Sequence, residues 1–232
     1  MGQNSPPKCL LSVGGKTVLE RTLESLRSVG VRDVVMVVGF KSDQIIQEAQ
    51  THAKGMKLAV CENPRYTEGA ILSLWAARAF LNSDVLIMDA DVVCPPLFFE
   101  RLMRSGYANC LLIDGSSQDT GEEQMVLGKG NRVLFITKKP SLDLLTHMVC
   151  FGESVGFFKV SQEAAFLLKQ FLEQQVGSGI VTIEHEQVYP ALFEKVFVGF
   201  ERVDGLPWTE IDRPEDLARA EKEIYPQWSK PL

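Results

Sequence analysis

Two carboxylates one residue apart end an apolar run in Asp84-Val-Leu-Ile-Met-Asp-Ala-Asp-Val92, with Pro95-Pro96 just beyond. A strand sends residues i and i+2 to one face, so Asp89 and Asp91 project the same way. Like charges that close repel and raise each other's pKa unless a cation lies between them. Solvated loop acids are one reading of the pair, and a metal site is the other. A second acidic group, Trp208-Thr-Glu-Ile-Asp-Arg-Pro-Glu-Asp-Leu217, comes just before the last helix. Asp212 with Glu215 resembles a capping box. Pro214, however, suits the first helical position, which puts Arg213 at the cap and leaves Asp212 outside it. Capping and metal binding stand level there. Two separated acids converging on one hard cation, with waters and substrate phosphates completing its shell, is the usual Mg²⁺ arrangement.

Cations stand ready to meet such an anionic ligand. Lys8 follows Pro6-Pro7, so it lies on a stiffened segment and offers a point charge to phosphate, with a solvated lysine as the plain alternative. Lys138 and Lys139 end an expected strand ahead of Pro140. Trp208 offers an aromatic face, and Glu153 and Glu186 offer carboxylates, that could meet a cationic group. Trp208 as plain core, and the two glutamates as partners of polyol hydroxyls, compete with that reading. His185 sits between Glu184 and Glu186, but no other histidine has matching spacing, and the stretch reads as a solvent-exposed helix start.

The elements that must hold these residues alternate. Val18 to Val29 is amphipathic and stops at Gly30; Val34 to Gly39 is a continuous apolar run, expected as a strand covered on both faces. Ser42 is the expected N-cap of a helix through Gln50, and Leu58 to Cys61 is the next strand. A helix over Ile71–Leu81 leads to a doubly buried strand at Val85–Met88, then Pro95-Pro96 opens a helix through Met103 and Cys110–Ile113 returns as a strand. This rhythm predicts an α/β fold with a Rossmann-like, doubly wound, mostly parallel sheet. After Gly115 it breaks: Met125–Leu127 and Val133–Thr137 read as an inserted β-hairpin. A strand at Val155–Val160, a helix from Ser161 to Gln175, a short helix near Val188–Lys195, a strand at Phe197–Val203 and a helix over Pro214–Ile224 follow. One domain spanning 1–232 is the economical organisation.

The totals bound the rest. The 232 residues suffice for a full core, and 45% apolar with 23% charged residues argues against disorder. A net charge of -6 weighs against nucleic acid or an anionic membrane as partner. Five scattered cysteines without a C-x-x-C pair, no apolar run long enough to span a bilayer and no signal-type N-terminus point to a cytoplasmic protein.

Several segments then point one way. Pro7-Lys-Cys-Leu-Leu-Ser-Val-Gly-Gly-Lys-Thr-Val-Leu-Glu20 resembles the Pro-Lys segment of the NTP-transferase (sugar-nucleotide pyrophosphorylase-like) family. Met88-Asp-Ala-Asp-Val92 resembles its metal-binding strand end, Thr137-Lys-Lys139 its acceptor-side lysine and Gly152-Glu-Ser-Val-Gly156 its "GExxG" strand. Trp208 to Leu217 is similar to the end of its small cytidylyltransferase branch, which includes phosphocholine, 2-aminoethylphosphonate and inositol-1-phosphate cytidylyltransferases. The resemblance runs in order along nearly the whole chain.

It implies a GT-A-like nucleotidyltransferase that moves CMP from CTP to a phosphorylated alcohol or phosphonate and releases pyrophosphate. Asp91 and Asp212 would hold Mg²⁺, with Asp89 assisting on the nucleotide side. Lys8 would bind the NTP phosphates, Lys138 or Lys139 the acceptor phosphate. Thr67, Glu68, Gly69 and Ser73 occupy the base-recognition segment, where Glu68 either accepts from a cytosine amino group or caps the helix. Expected partners are CTP or another NTP and a small phosphorylated acceptor, with no nucleic acid and no membrane insertion; a homodimer is left open. A UTP- or dTTP-using sugar-1-phosphate transferase and a silent nucleotide-binding domain are the alternatives. The family's first strand and glycine-rich loop precede the Pro-Lys segment, so this chain, with Met1-Gly-Gln-Asn there, is expected to lack both.

Overall fold

The structure is a computed structural model describing residues 5–117 and 121–228; the Met1-Gly-Gln-Asn start lies outside them. After one 3-10 turn at Lys8–Leu10, β1 (Ser12–Val13) and β2 (Lys16–Thr17) form a tight hairpin. Its Gly14 and Gly15 hold φ of 60° and 78°, where side chains are strained and glycine is not. α1 (Val18–Ser28) begins where Thr17 Oγ1 accepts from Glu20 N, and it buries Val18, Leu19, Leu23 and Leu26. β3 (Asp33–Val38), α2 (Ser42–His52) and β4 (Lys57–Glu62) make a crossover unit, with β3 parallel to β4 from Asp33↔Lys57 to Val38↔Glu62. Ser42 is not the cap of α2. Lys41, at φ 50°, takes that place without a side-chain capping bond, and Ser42 is the first helical residue.

α3 (Ile71–Ala76) is shorter than its periodicity predicts, because a 3-10 turn at Arg78–Phe80 replaces its last part. β5 (Val85–Met88), β6 (Val92–Val93) and α4 (Leu97–Arg104) follow; Phe98 N and Phe99 N donate to the carbonyls of Pro95 and Pro96. β7 (Cys110–Asp114) is buried throughout. The hairpin of β8 (Met125–Lys129) and β9 (Arg132–Thr137) turns at Gly130, φ 60°. α5 (Leu142–His147) has no counterpart in the sequence reading. β10 (Val149–Val160), α6 (Gln162–Gly177), α7 (Tyr189–Phe193), β11 (Gly199–Arg202), β12 (Thr209–Glu210) and α8 (Pro214–Arg219) complete the chain.

The elements group into two compact units. One takes the chain up to Glu62, Asp89–Glu100 and the chain from Leu206 onward; the other takes Asn63–Met88 and Arg101–Gly205. The second unit is built on a six-stranded mixed sheet in the order β11-β7-β10-β8-β9, with β5 also on β10. β11 and β7 run parallel, whereas β10 is antiparallel to β5, β7 and β8. Twelve residues let β10 pair first with β8 and then with β5 along one edge. Gly152, at φ 142°, makes this possible: a Cβ there would stand 2.3 Å from the Asp114 carbonyl oxygen.

Phe158 of β10 lies at the centre of this unit's core, against Tyr189 and Phe193. In the first unit, α1 and α2 cover β3 and β4 through Leu19, Leu23, Met36, Val38 and Ala49. A separate cluster of Val13, Val18, Val93, Ile211 and Ala220 fixes the ends of β6 and β12. The two strands expected to be doubly buried are only half-buried over most of their length: β5 is so throughout, and β3 buries only Met36 and Val38. Among the described residues no helix is long and apolar enough to cross a membrane.

Candidate active site

The site in the first unit is made by a very short ladder. β6 and β12 pair antiparallel, Val92 opposite Glu210 and Val93 opposite Thr209, and Ile211 N donates to the Asp91 carbonyl at 3.1 Å. That register sets Asp91 beside the Glu210–Asp212 stretch. Ile211 is fully buried, so the alternation of an extended chain puts Glu210 and Asp212 together on the opposite face. One carboxylate oxygen each from Asp91, Glu210 and Asp212 lies within 4.8 Å of the others. Pro214 occupies the first turn of α8 with Arg213 as its cap residue; Asp216, not Asp212, accepts from the Arg213 and Asp212 amides at 2.8 and 3.1 Å. Asp212 is therefore free of capping duty.

Lys8 closes the arrangement. From the 3-10 turn after Pro7, its Nζ donates to Asp91 Oδ2 at 2.9 Å and to Asp212 Oδ1 at 2.6 Å. Burial alone would lower the ammonium's pKa, but attraction to Asp91, with hydrogen bonds to Asp212 and Asp91, raises it above the usual lysine value. Glu210 responds in the opposite sense. Lost hydration, then the charges of Asp91, Asp212 and Asp89, push its carboxyl up to about 8, while Lys8 pulls it down. Glu210 as a whole residue is exposed, so the like charges are the firmer cause. Asp89 acts here through that charge.

Glu210 carries a consequence for stability. Its folded pKa lies above the ordinary glutamate value of 4.5, so between about 4.5 and 8 the folded state holds a proton that the unfolded chain has lost. Stability then falls as pH rises through that window. Metal-free protein is expected to melt at progressively lower temperature across it, and Glu210→Gln is expected to flatten the slope. Equal slopes in thermal melts of the two proteins would rule out this titration.

The remaining candidates stand in the second unit, except Trp208. The ring of Trp208 is half-buried in the first unit, with its centroid 6.3 Å from that of the buried Phe98. Glu68 does not cap α3, whose cap residue is Ala70 without a side-chain bond. Arg65 grips it instead, Nε to Oε1 at 2.6 Å and Nη2 to Oε2 at 2.5 Å, and these bonds hold its carboxyl below the usual range. Thr67 lies in the same turn. Gly69 is where Val181–Ile183 passes: a Cβ would stand 2.3 Å from the Val181 carbonyl oxygen, and Ile71 N donates to Ile183 O. Ser73 Oγ accepts from the buried Asn63 at 3.1 Å.

Glu153 on β10 accepts from Ser117 Oγ. Lys138 and Lys139 are both exposed, with Lys138 Nζ 3.6 Å from Glu184 Oε1. The expected exposed helix start at 184–186 is corrected. Glu186 is buried, and His185 is nearly so with Nδ1 3.2 Å from Glu186 Oε2, because the 3-10 turn His185–Val188 packs inward beside Tyr189.

The fold is the GT-A-like one. Among similar solved structures are the inositol-1-phosphate CTP transferase from T. maritima and the CTP:phosphocholine cytidylyltransferase from Streptococcus pneumoniae. The first has TM-score 0.73 and 18% identity, covering 95% of this chain and 90% of that one. The second has TM-score 0.72 and 19% identity, covering 94% and 89%.

The chain belongs to the MobA-like NTP transferase domain family, whose model matches residues 1–155. It is 29% identical over 94% of its length to a Bifunctional IPC transferase and DIPP synthase from Rubrobacter xylanophilus, of which it spans 48%. It is 37% identical over 45% of its length to a CMP-5'-(3-aminopropyl)phosphonate synthase from Streptomyces rubellomurinus, spanning 17% of that protein. The chain thus spans about half, or less, of the length of these relatives.

Proposed function

We propose that the chain transfers CMP from CTP to a phosphorylated alcohol or a phosphonate, with release of pyrophosphate. The observation that carries this reading is the convergence of Lys8, Asp91, Glu210 and Asp212 from three distant stretches of sequence. A relative and structural neighbours whose names specify CTP, phosphocholine, inositol-1-phosphate or an aminopropylphosphonate support the choice of base and acceptor class.

The donor set fits a hard divalent cation. Three carboxylates offer oxygen alone, and like charges this close favour a cation among them. Asp91 and Asp212, with Glu210 as a third ligand, would hold Mg²⁺, which when bound neutralises charge on the triphosphate. In the reaction an acceptor phosphate or phosphonate oxygen forms a bond to the α-phosphorus, the bond from that phosphorus to the bridging oxygen breaks, and pyrophosphate leaves with the electron pair. The nucleophile is already an anion, so no strong base is needed. What the protein must supply is charge and alignment. Lys8 supplies a cation to the triphosphate, and Lys138 or Lys139 steadies the acceptor. Asp89 adds to the field on the nucleotide side; Thr67, Gly69 and Ser73 shape the base segment; on the second unit Glu153 and Glu186, and on the first Trp208, are candidate contacts for an acceptor's head group. Glu68, already bound by Arg65, contributes by positioning that turn.

The test is Mg²⁺-dependent pyrophosphate release with CTP, UTP, dTTP, ATP and GTP, each crossed with phosphocholine, 2-aminoethylphosphonate, inositol-1-phosphate, glycerol-3-phosphate and hexose-1-phosphates. Turnover is expected with CTP and one of the first four acceptors. Turnover only with UTP or dTTP and a hexose-1-phosphate would replace the reading by sugar activation. Nucleotide binding without any turnover would replace it by a silent nucleotide-binding domain.

A further inference from the structure

We infer that Lys8 is a built-in counter-ion which the divalent cation must displace, so that metal entry and delivery of the lysine to the triphosphate are a single exchange. This rests on the reading of Asp91 and Asp212 as cation ligands and adds a role that reading does not require. The Lys8 ammonium is within hydrogen-bond distance of both acids at once, 2.9 Å from Asp91 Oδ2 and 2.6 Å from Asp212 Oδ1. It bridges the gap between the two carboxylates, which is the gap a metal would fill. Mg²⁺ takes carboxylate oxygens at about 2.0–2.1 Å in near-octahedral geometry, and an ammonium seated in the same gap repels it as a like charge.

The surroundings favour exchange over a fixed strut. Asp212 is 57% exposed and Lys8 37% exposed, which leaves solvent access to the bridge, whereas Asp91 at 18% is the sheltered anchor. A lysine ends in a compact charge on a flexible four-carbon stem, so its head can swing while its backbone stays put. Here the backbone is held by the turn after Pro7, in which Leu10 N donates to Pro7 O at 2.9 Å and Leu11 N to Lys8 O at 3.0 Å. The two carboxylates are half neutralised before exchange by the lysine and fully balanced after it by a divalent metal. The ammonium, once released, finds its next anion in the triphosphate that arrives with the cation. Metal and nucleotide therefore assist each other's binding through Lys8.

Affinity for Mn²⁺ alone, without nucleotide, separates this from a structural lysine. Free Mn²⁺ would be followed by electron paramagnetic resonance in titrations of wild type, Lys8→Met, Lys8→Gln, Lys8→Arg and Asp91→Asn. Removing the competing charge is expected to tighten Mn²⁺ binding about tenfold in both neutral variants, the scale of one charge-assisted hydrogen bond. Lys8→Arg is expected to stay close to wild type, and Asp91→Asn to lose the site. The Mn²⁺-induced rise in melting temperature, larger in the neutral variants than in wild type, gives a second readout that includes any loss of fold. Neutral variants that bind Mn²⁺ no better than wild type, while Asp91→Asn abolishes binding, would overturn the exchange and leave the acid site intact. Unchanged binding in Asp91→Asn would remove the acid site itself, and the exchange with it.

Discussion

Asp91→Asn is expected to reduce nucleotidyl transfer about a hundred- to a thousand-fold, the usual loss for one preorganised electrostatic group at a reacting phosphate. The substitution keeps size and shape but removes a charge. It leaves untouched the backbone bond from Ile211 N to Asp91 O, which sets the register of the β6–β12 ladder. Folding should therefore survive while the cation loses its most sheltered ligand. Lys8 would also be left sharing its charge with Asp212 alone, so two functions weaken together. The measurement is kcat at saturating nucleotide, with a thermal melt to verify the fold. Activity within about tenfold of wild type would exclude Asp91 from the reaction, since that is less than the smallest loss of this kind.

The second large effect belongs to stability. Phe158→Ala is expected to cost about 3–5 kcal/mol, because it deletes a whole ring from a core that cannot close over it. Phe158 is 1% exposed, with ring centroids of Tyr189 and Phe193 at 5.0 and 6.1 Å. Its backbone lies between Ile87 of β5 and Leu111 of β7, so the strands around it cannot move inward independently. For a chain of this size the loss corresponds to a melting temperature lower by roughly 6–20 °C. Calorimetry would check it, and a drop of less than about 2 °C would mean that the core repacks around the gap.

Much of this was readable in the chain because local rules fixed it. The Pro6-Pro7 pair, the strand ending at Met88 and Pro214 at the first helical position each placed one of Lys8, Asp91 and Asp212, and these three do meet. Glu210 was passed over, although the alternation that flagged Asp89 with Asp91 applies equally to Glu210 with Asp212 around the apolar Ile211. The first half of β10 was hidden by Gly152, whose backbone conformation bends the strand instead of ending it. α5 was hidden because Leu142 is 83% exposed, which breaks the link between apolar periodicity and burial. His185 and Glu186 read as surface residues because charge usually means exposure. Only packing beside Tyr189 could reveal that they turn inward.

The β6–β12 ladder also sets a timetable. Lys8 meets Asp91 across 83 residues and Asp212 across 204, so the charged cluster has one of the longest closures the chain allows. A ribosome adding about 5–20 residues per second needs roughly 10–40 seconds between making Lys8 and making Asp212. For that whole interval the lysine has at most half of its carboxylate bridge. The charged bridge is thus completed only after the strands and helices between these residues have been made.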